Sequence, residues 1–230
     1  MLQSEYVPFL TTGFEFGMMG AVFFGAAFGM ENIAYIGLIG LGHEFFIWFV
    51  YVTLLKRKVE GKSDFLITLK NFISSPVIIA IITGLLFNIL NLKILFENFI
   101  LTKALFQSLN YLTGLTIPLI LIIIGYNIRF EFQIFKKGIL LIISRIVLAI
   151  IFVIFIDFFI FKKLLHLENI FSAALFTFVL LPPPFILPLF VKKENREELT
   201  YINGVLLLYS ILSIILFSVF FIIYSSGLWS

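Results

Sequence analysis

Apolar residues in this chain do not alternate as in a half-buried strand, nor do they mark one face of a soluble helix. They run together for about 20 residues at a time, the length a helix needs to cross roughly 30 Å of hydrocarbon. Such runs occur at 9–29, 33–54, 72–91, 111–128, 138–160, 170–190 and 201–224. Between them lie short polar links, such as Lys56-Arg57-Lys58, Lys93 with Lys103, Arg129 with Lys136 and Lys137, Lys162 with Lys163, and Lys192 to Arg196. The pattern predicts an all-α, polytopic transmembrane bundle of about seven spans, with no link long enough to fold as a separate domain.

Composition agrees with lipid as the solvent. Of 230 residues 61% are hydrophobic and 13% charged, and a mean hydropathy of +1.14 leaves too little polar surface to enclose such a core in water. There are 31 Phe and no Cys, so the chain depends on neither disulfides nor cysteine-ligated metal. Met1 to Pro8 lacks the positive n-region of a cleavable signal peptide, and no removable targeting segment is expected. The net charge of +3 sits in the links and reads as an orientation signal, with no basic, aromatic-interleaved stretch for nucleic acid. Links after the second, fourth and sixth spans hold eleven Lys and Arg residues against four on the other side. The positive-inside rule then puts the N-terminus in the cytoplasm and Trp229 and Ser230 outside, in the plasma (inner) membrane.

The first and sixth spans share an arrangement. Aligning 14–28 with 176–190 pairs Phe14 with Phe176, Phe16 with Phe178, Phe23 with Phe185 and Phe28 with Phe190, and sets Gly20 against Pro182. Each is a breaker-rich span followed by a short charged link and an uninterrupted apolar helix. The two units enter the membrane in opposite directions, as in the inverted repeats of many secondary transporters, where interrupted spans point to the binding site. Pro182, Pro183 and Pro184 lack amide hydrogens and leave carbonyls around 178–181 without intrahelical donors. Unpaired backbone is tolerated at membrane depth only inside protein or against a cavity, so Leu181 to Pro188 is expected within the bundle. A proline kink that merely aids packing is the alternative.

The run Gly13-Phe14-Glu15-Phe16-Gly17-Met18-Met19-Gly20, then Gly29 to Asn32, Ile117 to Leu121 through Gly125, and Leu181 to Pro188, resembles the auxin efflux carrier family in order and spacing over nearly the whole chain. The resemblance implies a ten-helix carrier of two inverted five-helix repeats whose broken fourth helices cross near the substrate. It also implies small organic anions, such as dicarboxylates, as cargo. The seven spans would correspond to the last seven of the ten. On that register 1–55 is the end of a truncated first repeat, 56–71 a cytoplasmic linker and 72–230 a complete second repeat. Where many members carry Asn and Pro at the first crossover, Met18 and Gly25 stand here.

Polar residues inside spans are costly and face the bundle interior, which makes each a candidate. His43 and Glu44, central in the second span, are read either as a proton-coupling pair or as a structural hydrogen bond between helices. Glu15, five residues before Gly20, is expected at the cavity, where its carboxylate would repel an anion unless protonated, paired or turned away. Arg145 is expected to snorkel to the interface, with substrate contact as the alternative, Asp157 to reach water, and Gly84 and Gly114 to permit close helix packing. Asn88, Tyr126 and Asn127 are read as caps or as hydrogen-bond donors to a solute, with Asn127 included in the site.

The resulting site comprises Glu15, Gly17, Met18, Gly20, Asn127, Pro182, Pro183, Pro184 and Phe185, with solute where a break at Gly17 to Gly20 meets one at Pro182 to Phe185. No zinc constellation, phosphate loop, Cys nucleophile or paired acid suggests an enzyme or a cofactor. Expected partners are lipid, an organic anion, a coupling proton or sodium ion and a second copy in a homodimer. The alternative is a truncated membrane protein that does not transport, or a subunit of a larger assembly.

Overall fold

The computed structural model describes residues 4–60, 65–74, 76–90, 92, 100–115, 119, 132–192 and 194–227, all helical or connecting. Helix α1 (Val7–Thr11) leads through an extended stretch into a π-helical turn (Phe16–Gly20) and α2 (Ala21–Phe28). After a 3-10 turn (Met30–Asn32) come α3 (Ile33–Phe46), a π-helical turn (Ile47–Tyr51) and α4 (Val52–Glu60), then α5 (Phe65–Ile73), α6 (Pro76–Ile89) and α7 (Ile100–Gly114). The chain ends with α8 (Phe132–Ile156), a π-helical stretch (Asp157–Leu164), α9 (Asn169–Val179), a 3-10 turn (Leu187–Phe190) and α10 (Arg196–Ser225). Among the described residues, Val7–Phe28, Met30–Val59, Gly138–Leu164 and Arg196–Ser225 are long and apolar enough to cross a membrane.

The expected third and fourth spans differ from this picture. Helix α6 has 14 residues, about 21 Å at 1.5 Å per residue, short of a full crossing. The link expected before residue 111 is instead helix α7, because Leu101, Leu105, Leu109 and Leu112 recur at four- and three-residue spacing and offset Thr102, Lys103, Gln107 and Ser108. The remainder of 111–128 lies almost entirely outside the described residues. Most of 56–71, expected as a linker, is helical in α4 and α5.

Side-chain bonds establish which helix ends share a face. Glu5 pairs with Lys58 at 2.9 Å, and Ser4 Oγ donates to Glu198 at 2.7 Å, so the start of α1, the end of α4 and the start of α10 lie together with Lys56, Arg57 and Arg196. At the other end Tyr35 donates to Glu168 at 3.4 Å, beside the start of α9. The segment α1–α2 therefore runs away from the basic face and the segment α9–190 runs towards it. Each half has its own apolar core. Near the basic face Tyr6, Leu10, Tyr51, Leu55, Leu187 and Tyr209 pack together, and at the far end Phe16, Phe24, Ile36, Ala173, Phe178 and Phe220 do so. Met19 and Leu181 pack together separately, where the two segments meet.

Candidate functional site

The first interruption falls at 12–15, upstream of the Gly17 to Gly20 position expected from sequence. Thr12 is extended (φ −119°, ψ 156°) and Gly13 adopts φ +72°, a left-handed conformation that glycine enters without a Cβ penalty. Residues 16–20 coil onward as a wide helical turn, so their glycines do not break the chain. A Cβ on Gly13 would lie 2.8 Å from Pro184 Cγ and 2.9 Å from Ile47 Cδ1, so the close approach of the second break also requires glycine here.

Ending α1 in the bundle frees four carbonyls that lipid could not satisfy. Three of them have side-chain partners. Thr11 Oγ1 and Thr12 Oγ1 donate to Pro8 O (3.0 and 2.6 Å), Tyr51 Oη to Phe9 O (3.0 Å) and Arg145 Nη1 to Leu10 O (2.9 Å). Arg145 Nη2 donates to Gly13 O as well, at 2.6 Å. Arg145 thus does not snorkel. It is 4% exposed, held across the end of a short helix where a cation complements the carbonyl dipoles, with its guanidinium 5.0 Å from the Phe14 ring and 4.8 Å from that of Tyr209.

The second interruption follows α9, where Pro182 to Pro184 cannot continue the amide ladder. Leu180 to Pro184 are buried, as expected for irregular backbone kept from lipid. Ser213 Oγ on α10 donates to Leu180 O at 2.6 Å. Leu181 N closes onto Phe178 O at 3.3 Å, and two further groups are met by the other break. Glu15 N donates to Pro182 O at 2.8 Å, and Phe185 N donates to Glu15 Oε2 at 2.6 Å, while Glu15 Oε1 accepts from Met18 N at 3.2 Å. One buried carboxylate therefore joins the two interrupted segments and caps the turn that follows its own.

His43 belongs to the same junction. Its Nε2 accepts from Phe14 N at 2.9 Å, and because an amide only donates, the ring proton lies on Nδ1, which has no hydrogen-bond partner. Glu44, one residue on, turns elsewhere and accepts from Trp48 Nε1 at 3.1 Å. His43 and Glu44 are therefore not joined in a pair. Beside the first break a cavity of about 620 Å³ is lined by Thr12, Gly13, Phe14, His43, Ser144 and Arg145, with Phe46, Leu148 and Phe152 along its outer wall.

The structure thus brings together Glu15, the amide of Met18, and Pro182 to Phe185 from the sequence-derived site. Gly17 and the Met18 side chain are exposed, and Gly20 is buried where a Cβ would meet Leu181. Asn127 and Tyr126 lie outside the described residues, and Asn88 is exposed on α6. Asp157 does not reach water as expected. It is 6% exposed in the π-helical stretch, 3.9 Å from Lys162 Nζ, because the wider turn rotates it inward. Gly84 has open space where close packing was expected, and the side-chain surroundings of Gly114 lie outside the description. Sequence reasoning missed Tyr51, Ser213 and the capping role of Arg145. Among the described residues no cluster of three potential metal ligands occurs. Comparison of the chain with protein-family models, curated proteins and solved structures returns no match.

Proposed function

We propose that the protein is a secondary carrier of small organic anions, working by alternating access at two crossed, broken helices in an inverted repeat. The observation that carries this reading is the bond set at the junction. Two oppositely directed segments are each interrupted inside the bundle, and they satisfy one another through Glu15 N to Pro182 O and Phe185 N to Glu15. Interrupted backbone at membrane depth is expensive, and paired interruptions mark solute sites in carriers built this way. The similarity of the 13–20 and 181–188 motifs to the auxin efflux carrier family supports the same reading and suggests dicarboxylates among the cargo. Movement of the joined breaks against α8 and α10 exposes the site to each side in turn. In this reading the basic face carrying Lys56 to Lys58 and Arg196 is cytoplasmic.

Purified protein reconstituted in liposomes tests it. Uptake of labelled malonate, succinate or butyrate should saturate with concentration and exceed that of empty vesicles. Vesicles that take up none of these anions above background leave a membrane protein that does not carry them.

A further inference from the structure

Helix α5 starts five residues after the end of α4 at the basic face and packs beside the π-helical turn Ile47–Tyr51. Its other side stays open. Leu66, Ile67 and Ile73 are 71%, 52% and 55% exposed, at spacings that put them on one helix face, and exposed Lys70 stands in the middle of them. A face turned to hydrocarbon gains nothing from a cation, and Lys70 has no acidic partner among the described residues. It lies about one and a half turns into the helix, so a snorkelling side chain carries its ammonium up to headgroup level at the basic face. Charge is concentrated here. Residues 56–70 hold five Lys and Arg against two acids, a surplus equal to the net charge of +3 for the whole chain. Lys58 is taken by Glu5, whereas Lys56, half-buried on α4, also has no acidic partner among the described residues.

We propose that this face of α5 binds an anionic phospholipid, with the phosphate at Lys70 and the acyl chains along Leu66, Ile67 and Ile73. Lys56, at the same end of the bundle, adds to the attraction. A choline headgroup carries its own cation beside the phosphate and gains less from Lys70, which selects for a lipid of net negative charge. A free phosphate ester would leave the three apolar side chains uncovered, so head and chains are both needed. Binding does not depend on the carrier reading and is measured without transport.

The test is thermal unfolding of the purified full chain in detergent with rising amounts of phosphatidylglycerol, or of phosphatidylcholine with the same acyl chains. Phosphatidylglycerol should raise Tm saturably, and at several-fold lower concentration than phosphatidylcholine. Lys70→Gln, at an exposed position, should weaken phosphatidylglycerol binding about fivefold, the effect of one cation near a charged headgroup, and leave phosphatidylcholine unchanged. Lys163→Gln removes the same charge at the far end, where Lys163 lies over the Phe159 ring, and should leave both lipids unchanged. Glycerol phosphate, the head without the chains, should produce no shift at the same concentrations. Equal shifts from the two lipids leave this face to bulk lipid or to a second copy and overturn the proposal. Lys70→Gln protein that binds phosphatidylglycerol as the wild type does, or a loss in Lys163→Gln as large as that in Lys70→Gln, also overturns it. So does a shift from glycerol phosphate equal to that from the lipid.

Discussion

Replacing Glu15 by Ala removes the acceptor for two backbone donors at once. Phe185 N loses a 2.6 Å bond and Met18 N a 3.2 Å bond where the two breaks meet. Each orphaned donor costs about 1–3 kcal/mol, so Glu15→Ala should destabilise the fold by roughly 2–6 kcal/mol. Glu15→Gln keeps one carbonyl oxygen, which can accept from Phe185 N, but turns an NH2 group towards the Met18 amide. Its cost should be about half that of the Ala variant. Unfolding of detergent-solubilised protein by titration with a denaturing detergent gives the two differences. Hydrogen exchange gives their location, with the Phe185 and Met18 amides losing protection ahead of the helix interiors. An Ala variant within about 0.5 kcal/mol of wild type would refute the reasoning, since a buried bridge between two breaks is not removed at so small a cost.

Two further perturbations separate backbone geometry from surface electrostatics. Gly13→Ala forces a side chain into φ +72° and against Pro184 and Ile47, and should cost at least ~1–2 kcal/mol in unfolding measurements. Gly37→Ala on α3, where a Cβ meets open space, should stay within about 0.5 kcal/mol of wild type or gain stability. At the basic face the Lys58 hydrogen bond and charge hold the Glu5 carboxyl below its ordinary pKa of 4.5. A lowered folded-state pKa means that the contribution is present above the unfolded value and is lost as pH falls through the folded one. The stability difference between wild type and Glu5→Gln should therefore be constant above about pH 5 and shrink at lower pH, as followed by Tm against pH. A difference that grows on acidification contradicts the assignment.

The long apolar runs were legible because a span is a property of composition over some 20 residues, and this is what Met30–Val59, Gly138–Leu164 and Arg196–Ser225 display. The second break was legible because proline removes a donor wherever it stands. The first was displaced by several residues, since glycine permits a break without demanding one, and only Gly13 among the glycines at 13, 17 and 20 takes a positive φ. Glu15 could be placed near a cavity from sequence, but its bond to Phe185, 170 positions away, depends on how the segments meet. Arg145 misled for a related reason. Hydropathy treats a lone Arg as a charge seeking water, whereas carbonyls freed at the end of α1 gave it partners at depth. Asp157 and the wide turn that buries it had no sequence signal of the kinds used.

In the proposed carrier, solute movement depends on the two joined breaks shifting against the rest of the bundle. Met19 and Leu181 pack together at that junction, and the chain has no Cys, so Met19→Cys with Leu181→Cys creates a unique pair for a short reversible cross-linker. Cross-linking in proteoliposomes joins the breaks to each other and leaves them free to move together, so a second pair, Leu181→Cys with Ile214→Cys, ties the junction to α10, whose Ile214 packs against the Met19 and Leu181 cluster. The measurement is anion uptake before linking, after linking the 181–214 pair, and after cleaving the linker. Uptake should stop on linking and return on cleavage, with the 19–181 link tolerated. Uptake that continues through a fully linked 181–214 pair contradicts it.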